Sequence, residues 1–248
     1  MDMAFSRSAL LLGEEAMQAL SRAKVAVFGI GGVGGHCVEA LTRSGIGSLH
    51  LYDDDTVSAS NLNRQVIALH STLGLPKVQA MAQRIQDINP NCAVQTFPMF
   101  YLPQNADEVD LSQYDYVVDC IDTVSAKLEL IARCTAQNIP IISAMGTGNK
   151  LDPTAVRLSD LSKTQGCPLA RVMRKELRKR GILHLKVVWS EEEPLAPRSH
   201  PQEEVPSQST TRPDSGARRD TPGSLPFVPA AAGLAMASAV VRDLICQR

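Results

Sequence analysis

Six residues, Gly29-Ile-Gly-Gly-Val-Gly34, constrain this 248-residue chain more than any others. They follow a run that reads as a buried strand, Lys24-Val-Ala-Val-Phe-Gly-Ile30. They open a helical pattern from Val33 to Ser44, with Val33, Cys37, Val38 and Leu41 on its apolar face. Glycines at 29, 31 and 34 spell G-x-G-x-x-G, with Gly32 between them. Without side chains in the way, backbone N–H groups can approach phosphate oxygens, and the helix N-terminus adds partial positive charge. Taken alone the loop suits NAD as well as ATP.

The rest of the chain repeats the strand–helix alternation. Ser48–Tyr52 reads as a second strand, Pro76–Ile88 as a helix, and Ala93–Phe97 as a third strand. Asp115–Ile121 is a fourth strand, Lys127–Gln137 a helix and Ile139–Ser143 a fifth strand. Strands separated by helices predict an α/β fold: a mostly parallel, Rossmann-like sheet flanked by helices. Thr154–Leu158 and His184–Trp189 read as two more strands with a basic helix between them. One domain is expected over 1–248. It divides into a nucleotide-binding core at 5–160, a basic helix and strand at 161–190, a flexible Pro-rich loop at 191–226 and a C-terminal helix at 227–246. The loop is predicted because that stretch turns to Pro, Ser, Glu and Arg and has too little apolar content to bury.

Several polar residues separate ATP from NAD. Asp53 ends the second strand 19 residues after Gly34, where a carboxylate can accept hydrogen bonds from ribose hydroxyls. Beyond it runs Asp53-Asp-Asp-Thr-Val-Ser-Ala-Ser-Asn-Leu-Asn-Arg-Gln65, a long polar segment for which a dehydrogenase has no need. Cleaving ATP calls for cations against the triphosphate and a carboxylate for Mg²⁺. Arg64 and Lys77 can supply the cations, and Asp122, at the mouth of the fourth strand, the carboxylate.

The ordered set of glycine loop, Asp53-x-Asp55, Ser-Asn61-Leu-Asn-Arg64-Gln65, Pro76-Lys77 and Cys-Ile-Asp122 resembles the adenylation domain of the HesA/MoeB/ThiF superfamily, over roughly residues 5–160. The resemblance implies a ThiF/MoeB-type adenylation fold with a C-terminal extension. It implies that Gly29, Gly31, Gly32, Gly34, Asp53, Asp55, Asn61, Arg64, Gln65 and Lys77 bind ATP and that Asp122 holds Mg²⁺. Arg64, Lys77, Asp122 and Arg7 would be catalytic. Arg7 sits in Phe5-Ser-Arg7, similar to an aromatic-x-Arg element whose arginine reaches the partner's ATP across a homodimer.

Members of this superfamily activate a carboxylate as an acyl-adenylate. Leu151-Asp-Pro153, Asp160-Leu-Ser-Lys-Thr164, Pro168-Leu-Ala-Arg171 and Gly223-Ser-Leu-Pro-Phe-Val-Pro229 resemble a branch that cyclises, by dehydration, a threonylcarbamoyl-modified adenosine beside the tRNA anticodon. That branch implies an ATP-dependent, adenylate-forming dehydratase acting on tRNA as a homodimer, with Mg²⁺ and a monovalent cation, Na⁺ or K⁺. It allows a sulfur-transfer protein as partner and peripheral membrane association without an obligate membrane partner. The alternative is adenylation of the C-terminus of a ubiquitin-like sulfur carrier. Many enzymes of that kind carry two C-x-x-C zinc pairs, and no C-x-x-C occurs here. A nucleotide-sensing module without turnover and an NAD oxidoreductase are further rivals.

Charge agrees with the tRNA reading only locally. The formal net charge is −1, so any polyanion must bind a patch. Arg171, Arg174, Lys175, Arg178 and Lys179 form such a patch, able to neutralise phosphates. Cys167, in a Gly-Cys-Pro turn, is read as structural. Six cysteines without a pairing framework suit a reducing cytoplasm. The apolar run Leu225–Val241 is short for a bilayer span and reads as a buried helix.

Overall fold

A computed structural model describes residues 3–196 and 222–246. Two short helices, α1 (Ser6–Leu12) and α2 (Glu14–Arg22), lead into β1 (Lys24–Phe28). Then come α3 (Gly34–Arg43), β2 (Ser48–Tyr52), α4 (Lys77–Ile88), β3 (Ala93–Phe97), β4 (Tyr116–Asp119), α5 (Val124–Ala136) and β5 (Ile141–Ala144). The chain finishes with β6 (Val156–Asp160), α6 (Pro168–Lys179), β7 (Lys186–Ser190) and α7 (Phe227–Cys246).

The seven strands form one sheet in the order β3-β2-β1-β4-β5-β7-β6. Every neighbouring pair is parallel except β6 with β7. From β1 the chain builds outward through β2 and β3, then returns to lay β4 and β5 on the other side. The switch between β1 and β4 opens a crevice at their C-terminal ends, where ligands sit in open α/β sheets. The two strands expected in the last third extend this same sheet.

Strand alternation explains the layers, because successive side chains face opposite sides. Val25 and Val27 pack with Cys37, Val38 and Leu41 of α3 and with Met236 and Val240 of α7. Ala26 and Phe28 pack on the other face with Ala126, Leu130 and Cys134 of α5. A third cluster joins α5, α6 and β7 through Ile131, Met173, Leu177, Val187 and Trp189. The Tyr116 hydroxyl donates to Asp243 at 2.6 Å, and Lys186 is ion-paired to the same carboxylate, which locks α7 to β4 and β7.

Element ends move for local reasons. The first strand stops at Phe28 because Gly29 takes a φ of 88°, outside the extended region. The strand expected at 154–158 starts at Val156 because Asp152 caps a short 3-10 turn by accepting from the Thr154 amide. Among the described residues, α7 is the one helix long and apolar enough to cross a membrane, and more than half of that stretch is buried inside the protein. The Pro-rich loop expected at 191–226 falls mostly on residues 197–221, outside the described residues.

Candidate active site

At the β1/β4 switch lies a cleft of about 460 Å³. Gly29, Gly31 and Gly32 form its floor, with Asp53, Asp54, Asp55, Asn61, Arg64, Gln65 and Lys77 on one side and Asp122 at the mouth of β4. Gly29 permits the turn: a Cβ there would stand 2.7 Å from the carbonyl oxygen of Cys120. Gly34 has a packing reason of its own. It does not line the cleft, and a Cβ there would lie 1.8 Å from the Gly29 carbonyl oxygen, so this glycine lets α3 close on the loop.

The charged side chains are held by one another and by the backbone. Asp53 accepts from the Ile30 amide at 2.6 Å and from the Asp55 amide at 2.9 Å. Burial raises the pKa of this carboxyl, and the nearby Lys77 ammonium opposes that rise. Lys77, the buried first residue of α4, reaches Asp55 at 2.7 Å and Asp53 at 3.8 Å. Arg64 donates to the Ser60 carbonyl oxygen and to Asn63 Oδ1. Asn61 caps its own turn, its Oδ1 accepting from the Ser58 amide at 3.1 Å. Gln65 Oε1 is buried without a hydrogen-bond partner in the cleft wall. Asp122 is exposed at the lip, where Thr123 donates to it at 3.3 Å.

Other walls escaped sequence reasoning. Phe28, Tyr52, Met99, Phe100 and Tyr101 form an aromatic-rich side beyond Asp53, with Tyr52 stacked between Phe28 and Phe97 at 4.3 and 4.5 Å. Gly146, Thr147 and Gly148 follow β5 on the opposite side, joined by Leu169 of α6 and by Pro222, Ser224 and Pro229. Asn63 Nδ2 donates to the Ser224 carbonyl oxygen at 2.9 Å, and the Asn149 amide donates to that of Gly223 at 2.7 Å. These residues lie far apart in sequence, and only the topology brings them together. Beneath the lip, Lys127 and Asp119 form an ion pair at 2.9 Å with no exposure of either side chain. A carboxylate inside an apolar strand was the one available signal for it.

Two groups of predicted residues stand outside the cleft. Arg7 is exposed on α1 and does not line it. The basic helix is α6, whose N-terminal Leu169 touches the cleft while its cations point elsewhere. Arg171, Lys175, Arg178 and Lys179 are exposed, the last paired with Glu176. Arg174 is not a free cation: its guanidinium donates to the Thr164 carbonyl oxygen at 2.8 Å and to the Thr164 hydroxyl. Cys167 is buried next to Gly146.

The cleft thus combines a glycine loop ahead of a helix, a carboxylate with little exposure, two cations and an outer carboxylate. The ThiF family model matches residues 5–246. The chain belongs to the ThiF family. Within the ThiF family it is similar to the tRNA threonylcarbamoyladenosine dehydratase of Bacillus subtilis (strain 168), at 43% identity over 97% of this chain and 94% of that protein. Its structure is similar to that of E. coli tRNA N6-threonylcarbamoyladenosine dehydratase in complex with AMP, with a TM-score of 0.86 and 35% identity over 98% of this chain and 94% of that one. The same E. coli enzyme in complex with ATP gives a TM-score of 0.84 at 34% identity, with the same coverage.

Proposed function

We propose that this ThiF-family chain is an ATP-dependent tRNA threonylcarbamoyladenosine dehydratase. One observation carries the reading. The glycine loop, Asp53, Arg64, Lys77 and Asp122 converge in one cleft, in a chain similar almost end to end to proteins named for that reaction. The relatives solved with AMP and ATP support ATP as the nucleotide here.

In this reading Asp53 holds the ribose and the amides of Gly29, Gly31 and Gly32 hold phosphate oxygens. Asn61, Arg64, Gln65 and Lys77 complete the phosphate site. A phosphate oxygen competes with Asp55 for the Lys77 ammonium. Asp122 suits Mg²⁺ because it offers a hard oxygen at a wet lip, and Mg²⁺ keeps several of its waters. When bound, the ion would neutralise charge on the triphosphate. The threonyl carboxylate oxygen attacks the α-phosphorus and pyrophosphate leaves. The carbamoyl group of the same side chain then attacks the acyl carbon, and AMP leaves with the former carboxylate oxygen. The ring that forms is the substrate less one water.

Finer parts of the proposal are a homodimer in which Arg7 serves the partner's cleft, a monovalent cation, Na⁺ or K⁺, and a cytoplasmic setting that permits peripheral membrane association. Phosphates of the tRNA meet α6, and a sulfur-transfer protein is an admissible partner. ATP–pyrophosphate exchange tests the reading against its main rival. Stimulation by threonylcarbamoyl-modified tRNA is expected. Stimulation by a small protein ending in Gly-Gly, with none by tRNA, would assign the cleft to a sulfur carrier instead.

A further inference from the structure

Under the lip of the cleft, charge is buried where the nucleotide itself would not reach. Asp119, the last residue of β4, and Lys127, in α5, are each 0% exposed. Lys127 Nζ lies 2.9 Å from Asp119 Oδ2, and Ser143 of β5 donates its hydroxyl to the same oxygen at 2.6 Å. The other carboxylate oxygen accepts from the Ile121 amide at 3.1 Å, and Lys127 donates to the Ile121 carbonyl oxygen at 3.1 Å. Ile121 is therefore gripped at both its backbone polar groups. The residue on one side of it is Asp122. On the other is Cys120, whose carbonyl oxygen stands against Gly29.

A buried ion pair is a poor source of net stability, because desolvation offsets its attraction and an apolar replacement of both partners is often neutral. What this pair supplies is position. It ties the exit of β4, the end of β5 and the start of α5 to the one turn that carries Asp122. We propose that Asp119 and Lys127 are positioning residues that fix the Cys120–Asp122 turn so that the Asp122 carboxylate meets Mg²⁺-bound ATP. The proposal rests on the role given to Asp122 above.

The test separates position from stability. Lys127→Met alone leaves a buried carboxylate unpaired, so Tm should fall by about 10 °C. Adding Asp119→Asn removes that charge and keeps a carbonyl oxygen for the Ile121 amide, so the double variant should regain most of the lost Tm. It should nevertheless turn over about 100-fold more slowly, as a misplacement near 1 Å can cause. Its affinity for ATP in EDTA should match wild type, while the gain in ATP affinity on adding Mg²⁺ is lost. A double variant with wild-type turnover and Mg²⁺ response would overturn the proposal and leave the pair a structural element. Should the double variant not fold, Asp119→Ala with Lys127→Met removes both charges and both grips on Ile121, and an unchanged Mg²⁺ response there would overturn it equally. Binding is read by calorimetry without tRNA. A wild type that binds Mg²⁺-ATP but ignores tRNA therefore sinks the substrate assignment alone, whereas ATP binding indifferent to Mg²⁺ sinks the positioning claim.

Discussion

Lys77 shows how residue chemistry is prepared in this cleft. Its ammonium sits between Asp55 and Asp53, and its own amide donates to the Asp55 carbonyl oxygen at 2.9 Å. The lysine is thus aimed by its place at the start of α4 and by two carboxylates. Asp122 has the opposite setting, exposed at the lip, so Asp122→Ala should leave Tm within about 1 °C of wild type, as surface changes usually do. It should abolish Mg²⁺-dependent pyrophosphate release, and a variant releasing pyrophosphate at the wild-type rate would remove Asp122 from the mechanism. Burial dominates the shifts of His36 and His50 and lowers both below the ordinary 6.5. As pH falls below that value the unfolded chain takes up protons that the folded chain refuses, so stability present at neutral pH is lost toward the lowered folded-state values. Asp53, raised by burial, acts with the opposite sign: its stabilising contribution, present below 3.8, is lost as pH rises through its raised folded-state value. Urea midpoints should therefore drop between pH 7 and 5.5 in wild type and drop less after His36→Gln and His50→Gln together; equal drops would contradict the histidine account. Sequence made the glycine loop, Asp53 and Lys77 legible because their spacing is local. The packing need at Gly34 was not legible, because a motif shows that a side chain is absent but not which neighbour needs the space.

At the scale of elements, the cations of α6 stand in two settings. Arg171, Lys175 and Arg178 recur at helical spacing and are exposed, whereas Arg174 turns back to Thr164. The Asp160–Thr164 segment is itself a capped 3-10 turn, with Asp160 accepting from the Ser162 amide at 2.8 Å. Arg174 therefore docks α6 on the turn that follows β6. Replacing Arg171, Lys175 and Arg178 with Ala should weaken tRNA binding and reduce the slope of log affinity against log salt by about two to three. Affinity for ATP should not change. Arg174→Ala should instead cost about 1.5–3 kcal/mol of stability, the worth of a hydrogen bond from a charged group, and leave the salt slope alone. Fluorescence anisotropy across a salt series checks both, and an unchanged slope in the triple variant would return the stripe to ordinary solvated surface. The helix was readable from its composition, but the inward turn of one arginine depends on a loop that sequence spacing does not place.

For the whole molecule, the mostly parallel sheet was legible because strands separated by helices need crossovers that admit few topologies, whereas the order β3-β2-β1-β4-β5-β7-β6 came from the structure. The cleft's far wall was not legible, since Gly146–Gly148 and Pro222–Pro229 meet only after the sheet has formed. Arg7 raises the question of assembly, being exposed on α1 and outside its own chain's cleft. A guanidinium there suits a neighbour's phosphates, since it stays charged and forks onto oxygens. If it serves a partner, Arg7→Ala and Lys77→Ala proteins are each nearly inactive, and mixing equal amounts with free subunit exchange restores roughly a quarter of the sites in a two-fold dimer. Inactive mixtures despite exchange, followed with tagged chains, would confine Arg7 to its own subunit or to no role. The central claim concerns the product, and it is tested most directly by incubating purified protein with ATP, Mg²⁺ and threonylcarbamoyl-modified tRNA, then weighing the nucleosides by mass spectrometry under conditions that preserve a cyclic product. The account predicts a modified adenosine lighter by one water, formed in equal number with AMP and only when ATP is present. An unchanged nucleoside mass beside steady AMP formation would contradict it.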